Sequence, residues 1–238
     1  MTLRILVIIP AFNEAGAIEG TVREVLAQKV PVTALVVDDG SSDATSARAA
    51  AAGALVVRLP FNLGIGGAVQ TGYRYAAAHG YDIAVQVDGD GQHDPSYLGA
   101  VMAPVADGRV DMAVGSRFID GHAGFRSSAS RRIGIRFLGI LIRLLTGRPV
   151  TDPTSGFRAC GRKFIGVFAA YYPTDYPEPE AMVVVHRLGG RFTEVPVVMR
   201  PRRSGVSSIA LLKPLYYMIK VSGAILLHTL KNRKVYEP

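Results

Sequence analysis

Five short apolar, β-branched runs are spaced through the first half of the chain: Leu3–Ile9, Thr33–Val37, Leu55–Leu59, Ile83–Val87 and Met112–Val114. Between them lie Ala15–Gln28, Ala44–Ala52, Gly67–His79 and Pro95–Ala106, which carry helical spacing. Strands that alternate with helices predict an α/β fold with a mostly parallel central sheet and helices on both faces. Ligands of such sheets bind beyond the carboxyl ends of the strands. The polar clusters fall there: Asn13-Glu14, Asp38-Asp39, Asn62 and Asp88–His93 follow four consecutive strands.

The pair Asp88 and Asp90 is the sharpest of these signals. A buried strand that ends in Asp-x-Asp holds two carboxylates at the rim of a sheet, where they can share one divalent cation. Hard cations such as Mg²⁺ take oxygen ligands, often one or two carboxylates plus substrate phosphates. Standing alone, Asp-Gly-Asp reads more readily as a polar turn; the other strand ends favour the metal. Asn62-Leu-Gly-Ile-Gly-Gly67 is a glycine-rich turn that opens a helix. A nicotinamide site is rejected, because that fingerprint should follow the first strand of a βαβ unit and here follows the third. The glycines are expected to permit close backbone packing.

The second half is less regular. Ser128–Leu145 reads as a helix with Arg132, Arg136 and Arg143 near one face. Thr154–Cys160 reads as a short strand, Glu180–Leu188 as a helix and Phe192–Met199 as a strand that ends in the basic Arg200–Arg203. A last helix is expected over Ile209–Leu230. Lys213, Lys220 and His228 interrupt its apolar run, so it predicts a helix lying on a membrane surface or on a partner, not a span. A C-terminal helix packed on the domain is the alternative. The basic helix Ser128–Leu145 suits the same membrane surface.

With 238 residues, 49% of them hydrophobic, the chain suits one large domain or one domain with an appendage. The single Cys160 rules out an internal disulfide framework and fits a reducing compartment. The net charge of +8 suits anionic partners, but no Trp and no nucleic-acid module is present, so nucleic acid is not expected. His93, His122, His186 and His228 lack metal-ligand spacing and read as ordinary surface or core histidines.

The ordered set Pro10-Ala-Phe-Asn-Glu14, Val37-Asp-Asp-Gly-Ser-Ser-Asp43, Asn62-Leu-Gly-Ile-Gly-Gly-Ala68 and Asp88-Gly-Asp-Gly-Gln-His93 resembles the family 2 inverting glycosyltransferases of GT-A fold. Within them it is most similar to the dolichol/polyprenyl-phosphate mannose synthase group, over roughly residues 3–208. The resemblance implies a catalytic domain over 1–208 and a C-terminal amphipathic helix with a basic tail over 209–238. It implies that Pro10, Phe12, Glu14, Val37, Asp39, Asp88 and Gly89 hold the nucleotide. Asp88, Asp90 and Gln92 would hold Mg²⁺ or Mn²⁺. Arg117, Arg131 and Arg202 would bind the acceptor phosphate, and Arg202 belongs to a loop that closes over the donor phosphates. Asp152–Arg158 corresponds to the acceptor side.

The activity implied is sugar transfer from a UDP- or GDP-linked donor to a polyprenyl phosphate at the inner, cytoplasmic membrane face, with a separate membrane-protein partner as an option. The acidic cluster Asp175–Glu180 departs from the simplest synthase. Glu178 or Glu180 would serve as general base if the acceptor were a glycan hydroxyl, although Glu180 also suits a first helical turn. A non-catalytic nucleotide-sugar-binding subunit is the reading from another class, and the intact Asp-x-Asp argues against it.

Overall fold

The computed structural model describes residues 2–119, 129–174, 177–201, 220–227 and 236, with backbone only for 129–131. The elements run β1 (Ile5–Ala11), α1 (Ile18–Leu26), β2 (Thr33–Asp38), α2 (Thr45–Ala51), β3 (Leu55–Arg58), α3 (Gly64–Ala78), β4 (Ile83–Gln86), α4 (Leu98–Ala106), β5 (Met112–Ser116), α5 (Ala129–Thr146), β6 (Arg158–Gly161), α6 (Arg162–Ala170), α7 (Pro177–Arg187) and β7 (Phe192–Pro196). A 3₁₀ turn, Pro95–Tyr97, leads into α4. The sheet order is β3-β2-β1-β4-β6-β5-β7, with β6 antiparallel to both its neighbours and every other pairing parallel.

β1 sits near the middle of the sheet and is buried along its whole length. Alternate residues serve opposite faces, as the pleat requires. Leu6 and Ile8 join a core with α3, α5, α6 and α7, whereas Ile5, Val7 and Ile9 join one with α1 and α4. Burial on both faces is why β1 reads as an unbroken apolar run. The helix α3 can lie close because Gly66 has no side chain: a Cβ there would sit 2.3 Å from the Thr174 carbonyl oxygen.

Three expectations shift. α6 went unread, because Arg162–Ala170 follows β6 without a turn signal. The strand expected over Thr154–Cys160 begins only at Arg158, since residues 152–157 are drawn into side-chain bonding described below. In the segment expected to form the last helix, residues 220–227 are helical, and Val221 and Ile225 are wholly buried in the core shared with α3 and α6. Tyr236 is buried in the same core and meets Tyr171 edge-on at 5.0 Å. The rest of 209–238 and the loop carrying Arg202 lie outside the described residues. No helix among the described residues is long and apolar enough to cross a membrane.

Candidate active site

The strand order reverses between β1 and β4, where successive connections leave in opposite directions, and the crevice at such a point is where open α/β sheets bind ligands. Because β6 runs antiparallel, its N-terminal approach meets the C-terminal ends of the other strands. One edge of the sheet therefore carries residues 10–14, 38–43, 88–93, 115–117, 152–158 and 196–201.

The loops after β1 and β2 are stitched together through small polar side chains. Asn13, at φ 55°, accepts from the Ser42 amide at 2.9 Å, and its own amide donates to Ser41 Oγ at 2.9 Å. The amides of Glu14 and Ala15 donate to Thr45 Oγ1 and Asp43 Oδ2 at 2.9 and 3.1 Å. Asn13 and Ser41 thus act on loop shape, as cross-loop partners and not as caps of their own helices.

Asp39 is buried and takes the amides of Leu63 and Gly64 on its two carboxylate oxygens, at 2.7 and 2.9 Å. It caps α3 from the end of another strand, where the N-cap residue Leu63 has no side-chain acceptor and only Asn62 Oδ1 shares the Gly64 amide, at 3.0 Å. Burial raises its pKa above the usual carboxyl value, against the lowering pull of those two amides, and neighbouring Asp38 adds to the rise. Of the other expected nucleotide residues, Phe12 is half exposed at the mouth of the crevice, while Val37 is wholly buried and offers only its main chain. Gly89 donates its amide to the Pro10 carbonyl at 3.3 Å, and a Cβ there would come within 3.0 Å of that oxygen. That approach joins the ends of β1 and β4.

Asp88 leaves β4 with its side chain about a third exposed, at 35%. Gln86 donates to its Oδ1 at 3.3 Å, and Gly156 leaves the space beneath: a Cβ there would stand 3.0 Å from that oxygen. Asp90 is buried and its Oδ1 takes the Gln92 amide at 2.9 Å. Among the described residues no group of three or more His, Cys, Asp or Glu could hold a metal. A Mg²⁺ site completed by substrate phosphates needs only one or two carboxylates from the protein. The expected third ligand, Gln92, points its amide nitrogen at the Arg200 carbonyl, 3.5 Å away.

His93, expected as an ordinary surface or core histidine, lies in the core and also orders this loop. It is buried, stacks on Phe157 at 5.1 Å, and its Nδ1 accepts the Asp88 amide at 3.0 Å. An antiparallel bridge joins His93 to Met199, and the Arg200 amide donates to the Gln92 carbonyl at 2.9 Å. Arg200 also pairs with Glu24 at 2.5 Å and Asp94 at 2.8 Å. Burial works against its charge, but these acids outweigh that and raise its pKa. Arg200 therefore clamps the Asp-x-Asp loop.

Arg117, which the resemblance places at the acceptor phosphate, is buried against Asp152, with Nε and Nη2 each 2.6 Å from a carboxylate oxygen. Its amide donates to Asp152 as well, at 3.1 Å. Glu194 of β7 takes the amides of Thr151 and Asp152 at 2.8 and 2.7 Å, and burial raises its pKa despite them. Arg158, registered between Gln86 and Val114, is fully buried. Its guanidinium reaches the carbonyls of Ser155, at 2.5 Å from Nη2, and Glu178, at 3.0 Å. It makes no ion pair with a carboxylate among the described residues.

Glu178 and Glu180 stand in the first turn of α7, Glu180 buried. Burial raises the Glu178 pKa, Arg158 lowers it, and Asp88 and Glu180 add to the rise. The roles of His93 and Arg158 were written in the sequence only as nearness to Asp90 and to the Asp152 segment. Arg202, the side chain of Arg131 and Asp175 lie outside the described residues.

Residues 6–167 match the family model described as glycosyl transferase family 2. An undecaprenyl-phosphate mannosyltransferase of Micrococcus luteus is 33% identical over 218 residues, covering 87% of this chain and 88% of that one. A UDP-N-acetylglucosamine–dolichyl-phosphate N-acetylglucosaminyltransferase of Methanococcus voltae is 28% identical, covering 81% and 84%. Among solved structures, glucosyl-3-phosphoglycerate synthase from Mycobacterium tuberculosis, in complex with Mn²⁺ and UDP-glucose, superposes with a TM-score of 0.70 at 24% identity, covering 95% of this chain and 78% of that one. It shares the GT-A fold. By the family match and by the ordered motifs along one sheet edge, the chain belongs to glycosyl transferase family 2.

Proposed function

We propose that the chain transfers a sugar, with inversion, from a nucleoside-diphosphate donor to a polyprenyl phosphate, working peripherally at the cytoplasmic face of a membrane. The observation that carries this reading is the meeting of the Asp88–Asp90 loop with the β1 and β2 loops at the switch point of the sheet. The relatives named for undecaprenyl and dolichyl phosphate acceptors support the acceptor class.

In this reading Asp39, Glu14 and the main chain at Pro10 and Val37 border the nucleoside, with Phe12 and Gly89 at the crevice mouth. Asp88 and Asp90 hold a divalent cation, Mg²⁺ or Mn²⁺, and a bound cation neutralises charge on the leaving diphosphate. His93, Arg200 and Gly156 keep the Asp-x-Asp loop in shape before any ligand arrives, which lowers the reorganisation needed at reaction. Arg117, through Asp152, fixes the segment that walls the acceptor side. Arg131 and Arg202 carry the contacts to phosphate. A lipid phosphate is already an anion, so its attack on the anomeric carbon needs no base. Residues 1–208 form the catalytic unit and 209–238 its appendage.

The test combines binding and product. Asp90→Ala should abolish manganese-dependent binding of UDP and GDP in calorimetry, and the native chain should glycosylate short polyprenyl phosphates. Unchanged binding by the variant refutes the assigned site. The raised Glu178 pKa favours a second reading, a hydroxyl acceptor with Glu178 as base. Loss of turnover in Glu178→Gln with donor binding intact would select it, and full activity on lipid phosphate would remove it.

A further inference from the structure

The exposed side of α5 has an unusual composition for a helix on a domain surface. Ile133, Phe137, Ile140 and Leu144 are 69%, 48%, 60% and 77% exposed. Exposed apolar residues scattered singly are ordinary, whereas a continuous row marks an interaction face. At about 100° per residue these four fall within an arc of about 60°. Arg132, Arg136 and Arg143, all exposed, occupy the adjoining arc of about 40°. The opposite side of the helix, Ile135, Leu138 and Ile142, is spent on the core. The helix contains no Asp or Glu, and none of the three arginines has an ion-pair partner among the described residues.

We infer that α5 is the element that seats this protein on an anionic bilayer, with Ile133, Phe137, Ile140 and Leu144 entering the headgroup boundary and the arginine row binding lipid phosphates. A row of cations beside a row of apolar side chains is the arrangement that lies in a membrane interface. Charge complementarity selects the bilayer over a second copy. A two-fold pairing of the same face would set arginine rows side by side, with no acid on the helix to offset them.

The described turns of the C-terminal segment, the leading candidate from sequence, turn Val221 and Ile225 into the core instead. The seat also makes sense of position. A groove of about 490 Å³ runs beside α5, bordered by Arg132, Arg136, Arg143, Phe118 and Thr151. Thr151 in turn contacts Ser116 at 2.6 Å on the catalytic edge. A bilayer under α5 therefore lies next to the acceptor side of the site.

This inference rests on the reading that the acceptor is a lipid phosphate, and the experiment separates the two. The full chain is sedimented with vesicles of phosphatidylcholine alone and of an equal mixture with phosphatidylglycerol, no acceptor present. Binding to the anionic vesicles is expected, with loss of at least roughly tenfold in affinity when Ile133, Phe137, Ile140 and Leu144 are all changed to Ser. Changing the three arginines to Gln should cost roughly fivefold for each charge. These positions are exposed, so circular dichroism should be unchanged.

Leu226→Ser/Leu227→Ser, on the C-terminal segment, should bind as the native chain does. Native protein left in the supernatant, a quadruple variant that binds normally, or loss confined to the Leu226/Leu227 variant overturns the inference. So does a native dimer in light scattering that the quadruple variant dissolves. Turnover of a short, water-soluble prenyl phosphate by the quadruple variant should persist. If docking holds and that turnover is absent in the native chain, the functional reading fails and the seat stands.

Discussion

The two halves of the catalytic edge are held by different physics. On the proposed donor side, around β1 and β2, side chains bind main-chain amides: Asn13, Ser41, Asp43 and Asp39 each take an N–H from a neighbouring loop. On the proposed acceptor side, around β5 and β6, whole charges are buried, as in Arg117 with Asp152 and Arg158 against two carbonyls. Amide-to-carboxylate bonds shape a loop and tolerate the loss of any one member. A buried ion pair does not, because removing one partner strands the other charge in a low dielectric. The donor side should therefore be sensitive in binding and forgiving in stability, and the acceptor side the reverse.

The most direct way to break that contrast is Asp152→Ala. It should cost about 3–5 kcal/mol in denaturant unfolding, since the Arg117 guanidinium stays buried and loses the Asp152 carboxylate. In a double-mutant cycle with Arg117→Met the coupling should be about 1–3 kcal/mol. A loss near zero would mean that water already reaches the pair, and the acceptor side would then be no different from the donor side.

Asp39→Ala tests the other half. The Leu63 amide loses its acceptor and the Gly64 amide keeps only Asn62 Oδ1, 3.0 Å away, so the expected cost is about 1–3 kcal/mol. Thermal shift with UDP or GDP and manganese should show weakened donor binding as well. Asp39→Asn keeps one acceptor oxygen and should fall between the two. If Asp39→Ala destabilises as much as Asp152→Ala while donor binding stays intact, the residue is a cap alone.

What the sequence could disclose follows the same division. The donor half is built from local units, a strand, a polar loop and a helix, so Asp39, Asp88 and Asp90 were legible from alternation and spacing. β6, inserted antiparallel between β4 and β5, breaks that rhythm, and nothing in the spacing shows that residue 158 will stand beside residues 86 and 114. The Arg117–Asp152 pair depends on that insertion, and so the sequence places Arg117 at the acceptor phosphate by resemblance alone, with no sign of Asp152 beside it. His93 was discounted for want of a second ligand at metal spacing, whereas its work is to accept the Asp88 amide. The helical face of α5 was legible, but the sequence could not show which of its sides the core would take.

A smaller effect sharpens the comparison at the seam between the halves. Arg200 pairs with Glu24 while both side chains are 35% exposed, so solvent screens much of the attraction. Glu24→Gln should cost only about 0.5–1 kcal/mol. Its stronger signature should be a raised manganese requirement, because Arg200 also holds the Gln92 carbonyl beside Asp90.

The subtlest signal is a slope with pH. Burial raises the folded-state pKa of Glu178 above the ordinary 4.5, with Arg158 opposing and Asp88 and Glu180 assisting. From pH 4.5 up to that raised value, the folded protein keeps a proton that the unfolded chain has released. Stability therefore falls as pH rises across the window, and the group's contribution is complete below 4.5. Asp39 and Glu194, also raised, tilt the curve the same way. Only the difference between native protein and Glu178→Gln isolates the one residue. Urea melts at stepped pH should show a shallower decline in the variant. Parallel curves would mean that Arg158 holds Glu178 ionised, which would make the pair a true buried ion pair and bring the acceptor side closer still to the Arg117–Asp152 pattern.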